Sequence, residues 1–221
     1  MSFVQPAFFW LLLAVLALYW TVPKLIPGHA IRAQNTILVG ASIVFYGWIH
    51  PIFLIPLAFS ACLDFSVGIA LGKVPKWRKA LLALSLSGNL GMLGLYKYFD
   101  FFVENFKIAF QEVGLGGLEL GTLDWLLPVG ISFYTFQTMG YTIDVYRRKV
   151  PACTNPLQYV AYVSFFPQLV AGPIERAKDL LPQFTKVRSF DSQQVMSGFG
   201  LALWGVFKKV CIADVLAPYV D

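Results

Sequence analysis

The sequence predicts an all-α, polytopic transmembrane protein, and three observations carry that prediction. Hydrophobic residues make up 57% of the 221-residue chain and charged residues only 13%, roughly half the charged share of about 25% in a soluble domain. The apolar residues arrive in long blocks, Pro6 to Val22, Asn35 to Gly72 and Ala80 to Tyr96, and one bilayer crossing needs about 20 such residues. The bases, finally, sit in short clusters between the blocks, as loops held on one side of a membrane require. The same figures exclude a disordered chain, a disulfide scaffold and an ordinary soluble domain. An excess of 17 Lys+Arg over 12 Asp+Glu would suit a nucleic-acid partner, but no basic face interleaved with aromatics exists, so topology explains it better and no nucleic acid is expected.

Threading follows from the basic clusters. Met1 to Pro6 carries no base and no small-residue cleavage pattern follows Val22, so the first block reads as a retained span instead of a cleaved signal. Lys24 and Arg32 flank one basic loop; Lys73, Lys76, Arg78 and Lys79 crowd the next. Between them, Asn35 to Gly72 holds a single charge, Asp64, and is long enough for two short spans hinged near Trp48-Ile49-His50-Pro51. Two crossings bring both basic loops to the same side, the cytoplasm by the positive-inside rule, and leave the N-terminus outside.

Ala80 to Tyr96 then crosses outward. The segment beyond it sets Lys97 and Lys107 against Asp100, Glu104, Glu112, Glu119 and Asp124, a balance suited to an exported loop. Within it Phe99, Phe102, Val103, Phe106, Phe110 and Val113 recur at helical spacing opposite Asp100, Glu104, Lys107 and Gln111, which predicts an amphipathic helix on the outer surface, ended by the glycine-rich run 114–121. Trp125 to Tyr146 returns inward to Arg147-Arg148-Lys149. Val150 to Pro173 is interrupted by Asn155, Gln158, Ser164, Pro167 and Gln168 and reads as re-entrant or tilted. Arg176, Lys178, Lys186 and Arg188 belong inside, and Val195 to Val220 begins a further helix with Lys208 and Lys209 in mid-run, stopping at Asp221 with no finishing loop, which suggests part of something longer. The sum is about five to seven membrane helices plus re-entrant and amphipathic elements.

Motifs for soluble chemistry are missing. Cys62, Cys153 and Cys211 are an odd, widely spaced set that builds neither a disulfide framework nor a metal site, and they read as packing residues. The glycines of Gly88 to Gly94 and the Gly68 to Gly72 pair predict close helix packing. Ser132 lacks the glycine that ends a nucleophile elbow. His29 and His50, in loop text beside Gly28 and Pro51, read as interfacial. Asp64 must find a partner inside the protein or reach the interface. Asp144 and Arg147, at i and i+3, are expected to pair. Ser132, Thr135, Gln137 and Thr138 put polar groups inside a span, where interhelical hydrogen bonding and a substrate passage fit equally.

Two stretches concentrate those polar groups: Leu127-Pro-Val-Gly-Ile-Ser-Phe-Tyr running on to Ile143-Asp-Val-Tyr-Arg147, and Phe165-Phe-Pro-Gln-Leu-Val-Ala-Gly-Pro-Ile-Glu-Arg176 followed by Asp179-Leu-Leu-Pro-Gln183. With Phe207-Lys-Lys-Val-Cys-Ile-Ala-Asp214, this text resembles the membrane-bound O-acyltransferase family, in the branch of the alginate O-acetylases and the D-alanyl transfer proteins of teichoic acids. The resemblance implies the N-terminal portion, residues 1–221, of a membrane-embedded domain roughly twice this length in the bacterial inner membrane. Such a domain passes an acyl group from a cytoplasmic donor, acetyl-CoA or an acyl carrier thioester, to hydroxyls of an exported polysaccharide such as alginate, with partner proteins outside. No bound cofactor and no metal are expected. The resemblance places the family's catalytic histidine in the second half, beyond Asp221, so no catalytic residue carries over and this chain alone should be inactive. Ser132, Gln137, Tyr141, Asp144, Arg147, Gln168 and Arg176 are the candidates for the passage wall. A non-catalytic membrane scaffold, D-alanyl transfer to teichoic acid and, more weakly, a transporter are the alternatives.

Overall fold

The computed structural model describes residues 5–112, 126–169 and 172–219, and every regular element among them is helical. Prolines set the first turns. α1 (Pro6–Leu25) has Pro6 at its first position, where no amide hydrogen is needed. Short 3₁₀ turns at Pro27–His29, Pro51–Phe53 and Pro75–Trp77 then open α2 (Ala30–Ile49), α3 (Leu54–Lys73) and α4 (Arg78–Leu93), because a proline disfavours helical backbone in the residue before it. The hinge expected at Trp48–Pro51 is therefore present. α2 starts earlier than its apolar text and takes Arg32 into its first turns.

Past α4 the helix does not break. A π-helical turn, Gly94–Tyr98, carries it straight into α5 (Phe99–Glu112), so the expected span and the amphipathic helix form one continuous path with a widened turn. Phe102 and Phe106 are exposed on α5 and Val103 is buried; the glycine-rich run expected to end this helix lies outside the described residues. α6 (Ile131–Tyr146) follows Gly130, whose φ of 79° is a left-handed conformation that favours glycine. The Asn155 side chain accepts from the Leu157 and Gln158 amides and caps α7 (Pro156–Val163). Short helices α8 (Phe166–Leu169) and α9 (Ala177–Leu180) lead through a 3₁₀ turn, Leu181–Phe184, to α10 (Ser192–Phe207), a second π-helical turn at Lys208–Ala213, and α11 (Asp214–Leu216). The helix expected from Val195 to Val220 thus runs on through that π-helical turn, as α4 does into α5, and ends in a 3₁₀ turn at Ala217–Tyr219; its last expected residue, Val220, lies with Asp221 outside the described residues.

α1 packs on α2, while α3, α4 and α6 pack on one another and α7 bridges α2 and α3. Close approach is decisive at Gly68: a Cβ there would stand 2.7 Å from the Tyr141 hydroxyl and 2.9 Å from its Cε1. Tyr141 in turn packs on Tyr159 with ring centroids 4.8 Å apart, and Tyr159 on Phe65 at 5.5 Å. The small-residue reading thus holds at Gly68 and at Gly88, where a Cβ would stand 2.6 Å from Leu63 Cδ2, whereas Gly72, Gly91 and Gly94 face open space. Cys153 is buried as expected, but Cys62 and Cys211 are exposed, since one sits on an outward face of α3 and the other on the projecting C-terminal helix.

One end of the assembly collects positive charge. The Arg78 guanidinium donates to the carbonyls of Leu71 and Tyr146 and lies 5.4 Å from the Tyr146 ring centroid. It thereby neutralises the carbonyl-rich C-terminal ends of α3 and α6 together. Lys73, Lys76, Lys79, Arg147, Arg148 and Lys149 neighbour this junction in sequence. Arg147 is exposed and Asp144 half-buried, and they form no ion pair. The expected coupling is not found, because the helix ends at Tyr146 and Arg148 turns left-handed (φ 57°), carrying the basic residues out of helical register.

Residues 156–169 and 172–188 run alongside α2, which sets their level. The Phe166 amide donates to Ser42 Oγ at 3.2 Å, after which the chain comes back down: Asn35 Nδ2 donates to the Phe184 carbonyl at 2.9 Å, and Gln34 Nε2 to the Arg188 carbonyl at 3.0 Å. Ser42 to Gln34 is about 12 Å along a helix rising about 1.5 Å per residue. The segment thus climbs partway up α2 and returns.

Two stretches, Pro6–Leu25 and Pro51–Lys73, are long and apolar enough to cross a bilayer. α4 and α6 have 16 residues each, and α2 carries Arg32, Gln34 and Asn35, so five to seven spans are not established by length and hydropathy. α10 and α11 are exposed throughout, with Phe199, Leu201, Leu203 and Trp204 turned outward. Lys208 lies over the Trp204 ring, and Lys209 pairs with Asp214.

Gly68→Ala should lower the thermal unfolding midpoint in detergent, with a cost of about 1–3 kcal/mol from overpacking against Tyr141. Gly72→Ala, facing open space, should leave the midpoint unchanged.

Candidate functional site

Three helices each present two polar side chains one turn apart: Ser60 and Asp64 on α3, Ser85 and Asn89 on α4, Thr138 and Thr142 on α6. All six are wholly buried. Asp64 Oδ1 accepts from the Ser85 hydroxyl and, at 2.9 Å, from the Thr142 hydroxyl; Oδ2 accepts from Asn89 Nδ2 at 2.7 Å. The network continues through Ser60, which donates to Asn89 Oδ1 and lies 2.9 Å from Thr138 Oγ1. No cation comes within ion-pair distance of Asp64 among the described residues. Three hydrogen bonds satisfy the oxygens of this buried carboxyl group, whose burial without partners would cost several kcal/mol. Asp64 therefore found its partners inside the protein, and they are neutral.

The passage candidates do not line one cavity. Gln137 Nε2 donates to the Tyr162 carbonyl at 2.9 Å and joins α6 to α7, and the Tyr141 hydroxyl accepts from the Cys153 amide at 2.9 Å, tying α6 to the loop that leads into α7. Gln168 Nε2 closes its own loop on the Pro173 carbonyl at 2.8 Å. A Cβ at Gly172 would meet the Gln168 backbone at 2.7 Å, which explains the glycine in that motif. Ser132 is half-buried near the start of α6, and Arg147 and Arg176 are exposed. The paired spacing of the six network residues is a sequence signal that a search for single polar residues passes over: i and i+4 on three neighbouring apolar helices.

The basic end carries open volume. A cavity of about 880 Å³ lies between the first turns of α2 and of α7, with His29, Arg32, Asn155 and Gln158 on its wall. A second, of about 380 Å³, shares Thr154 and Gln158 with it and adds Lys149 and Lys178. Cations beside neutral amides and hydroxyls suit phosphate or carboxylate groups. Cys153 also lines the second cavity, but its Sγ points a hydrogen at the Asn155 carbonyl, 3.4 Å away, and burial pushes the thiol's pKa up, keeping it protonated and poorly nucleophilic. His29 and His50 are exposed and neither pairs with a carboxylate among the described residues; His50 rests against Phe53, ring centroids 5.5 Å apart. The expectation of a catalytic histidine beyond Asp221 lies outside the described residues. No group of three His, Cys, Asp or Glu side chains fit to hold a metal comes together among the described residues.

Comparison with known proteins supplies what this geometry lacks. The chain is 37% identical over 193 residues to the probable alginate O-acetylase of Pseudomonas aeruginosa, covering 86% of this chain and 36% of that protein. It is 34% identical over 229 residues to the probable alginate O-acetylase of Azotobacter vinelandii, covering all of this chain and 43% of the relative. The chain is thus similar to the matched stretch of these alginate O-acetylases. The peptidoglycan O-acetyltransferase of Helicobacter pylori is 31% identical over 212 residues, covering 83% of this chain and 39% of its own length. The resemblance to membrane-bound O-acyltransferases carried by the two motifs is thereby borne out. The chain spans about two-fifths of the length of these curated relatives. No family model and no solved structure matches it.

Asp64→Ala takes the carboxylate away from three buried donors, of which only Asn89 Nδ2 keeps another acceptor, the Ser85 carbonyl, and should destabilise the protein by about 3–5 kcal/mol. Adding Asn89→Ala should cost less than the sum of the two single changes, read from unfolding midpoints of the four proteins. Additive losses would show that the two side chains are energetically separate.

Proposed function

We propose that this chain is part of a membrane O-acyltransferase that moves an acetyl group from a cytoplasmic thioester donor to hydroxyls of an exported polysaccharide, alginate being the acceptor suggested by the relatives' names. The match to the Azotobacter vinelandii protein along the whole of this chain carries the reading. In this proposal the basic end, with the His29 and Lys149 cavities, faces the cytoplasm and receives the phosphate groups of coenzyme A or of a carrier's pantetheine arm. α5 lies on the outer surface of a bacterial inner membrane, and outer-side proteins deliver the polysaccharide. The buried network and the re-entrant segment hold the scaffold against which acyl transfer takes place, and no residue of this chain is assigned the role of general base.

Orientation is tested by single cysteines in a background without Cys62, Cys153 and Cys211. Glu104→Cys should react with an impermeant thiol reagent in sealed cells and Lys76→Cys should not; the opposite pattern inverts the threading.

Activity is tested by inserting this chain in place of the matched stretch of the Pseudomonas aeruginosa protein, in a strain lacking that protein, and measuring acetyl esters on exported alginate. The hybrid should restore acetylation and the chain alone should give background, since loss of a general base costs about 100 to 10,000-fold. Acetylation by the chain alone that His50→Ala abolishes would move the active site into this part of the protein.

A further inference from the structure

Arg188 stands at one end of an apolar groove of about 250 Å³ between α1, α2 and the re-entrant segment. Its surroundings are built. Asn35 Oδ1 accepts from Nη2, Gln34 Oε1 from the Arg188 amide at 3.3 Å, and the guanidinium lies 5.4 Å from the Tyr19 ring centroid and 5.5 Å from that of Phe184. Every one of these partners is neutral. No carboxylate pairs with Arg188 among the described residues, and its Nε is buried with no hydrogen-bond partner. Arg188 is only half-buried, so its guanidinium keeps N–H groups open to an anionic group.

The groove running from it is the wrong place for a soluble anion. Leu12, Val15 and Leu16 of α1 form one wall and Phe165 and Phe166 another, with Leu38 between them. Leu13, Leu16 and Leu18 are exposed on α1, the most apolar kind of surface the chain offers, so the groove adjoins a face suited to lipid. Arg188 lies level with Gln34 and Asn35, next to Arg32 on α2, and Trp20 lines the groove at this same end. Aromatic and basic side chains at one level mark the depth of lipid headgroups, and basic pockets between membrane helices take anionic ones.

We propose that this groove binds one anionic phospholipid, its phosphate on the Arg188 guanidinium and one acyl chain lying along Val15, Leu16 and Phe165. The site rests on the membrane reading of the chain, not on acyl transfer. An occupant there would join α1 to the segment around Phe165, which otherwise meet through contacts such as Phe8 on Phe166, ring centroids 6.3 Å apart.

The test uses the whole chain in nanodiscs of phosphatidylcholine containing a trace of phosphatidylglycerol with a photoreactive group in its acyl chain. After illumination, label should concentrate in peptides covering residues 12–20 and 165–167. Unlabelled phosphatidylglycerol should displace it at least tenfold more effectively than phosphatidylcholine, and Arg188→Gln should abolish that preference. Leu16→Trp, which fills the groove and leaves the guanidinium in place, should reduce labelling by both lipids. Label spread evenly over exposed helices such as α10, or equal displacement by both lipids, overturns the proposal. Displacement by inorganic phosphate or coenzyme A at concentrations matching the lipid would instead assign the cation to a soluble phosphate and likewise overturn it. Alginate acetylation is measured separately in the hybrid protein, so loss of either reading leaves the other standing.

Discussion

A carboxylate sealed away from water and cations has to be satisfied by hydrogen-bond donors at fixed positions, and Asp64 imposes that requirement on three helices at once. Its donors come from α4 (Ser85, Asn89) and α6 (Thr142). Sliding either helix by one turn would break the set and leave buried polar groups unpaired, each costing about 1–3 kcal/mol. Apolar contacts alone tolerate such slippage, because dispersion and burial have little directionality. The polar network supplies register where the apolar surfaces supply adhesion.

Register then propagates. With α6 held against α3, Tyr141 falls beside Gly68, the position where its ring fits because no Cβ is present. Its hydroxyl accepts from the Cys153 amide, which fixes the return loop, and the Asn155 cap starts α7 directly afterward. From there the re-entrant segment is guided by α2: Ser42 receives it at the top, and Gln34 and Asn35 receive it on the way down. Backbone that leaves regular helix at depth needs such side-chain partners, since lipid offers none. Arg78 performs the corresponding task at the basic end, where the final carbonyls of α3 and α6 share one guanidinium.

Parts of this were legible in the residues. The Trp48–Pro51 hinge marked one turn, the interruptions between Asn155 and Gln168 marked where regular helix gives way, and the two motif stretches carried the resemblance that the relatives bear out. The candidate site was less legible. Gln137 and Tyr141 were singled out as passage lining, and the structure shows the first bonded to α7 and the second to the loop before it. Asp144 and Arg147 share helical spacing but form no ion pair, because spacing says nothing about where the helix stops. Ser85 and Asn89 drew no notice singly, since a serine or asparagine in an apolar helix acquires meaning only from what faces it.

By itself the sequence determined that the chain is helical, apolar enough for a membrane and polarised into basic and acidic segments, because composition and period are local properties summed along the chain. It also determined kinship, because the motif text is linear. Only the tertiary structure decided which polar side chains meet, that Asp64 is balanced by neutral donors, that Arg78 caps two helices, and that Arg188 is held without a counter-charge. Those outcomes depend on residues far apart in the chain arriving at one point, and the energy of a buried polar group is set by its neighbours in space.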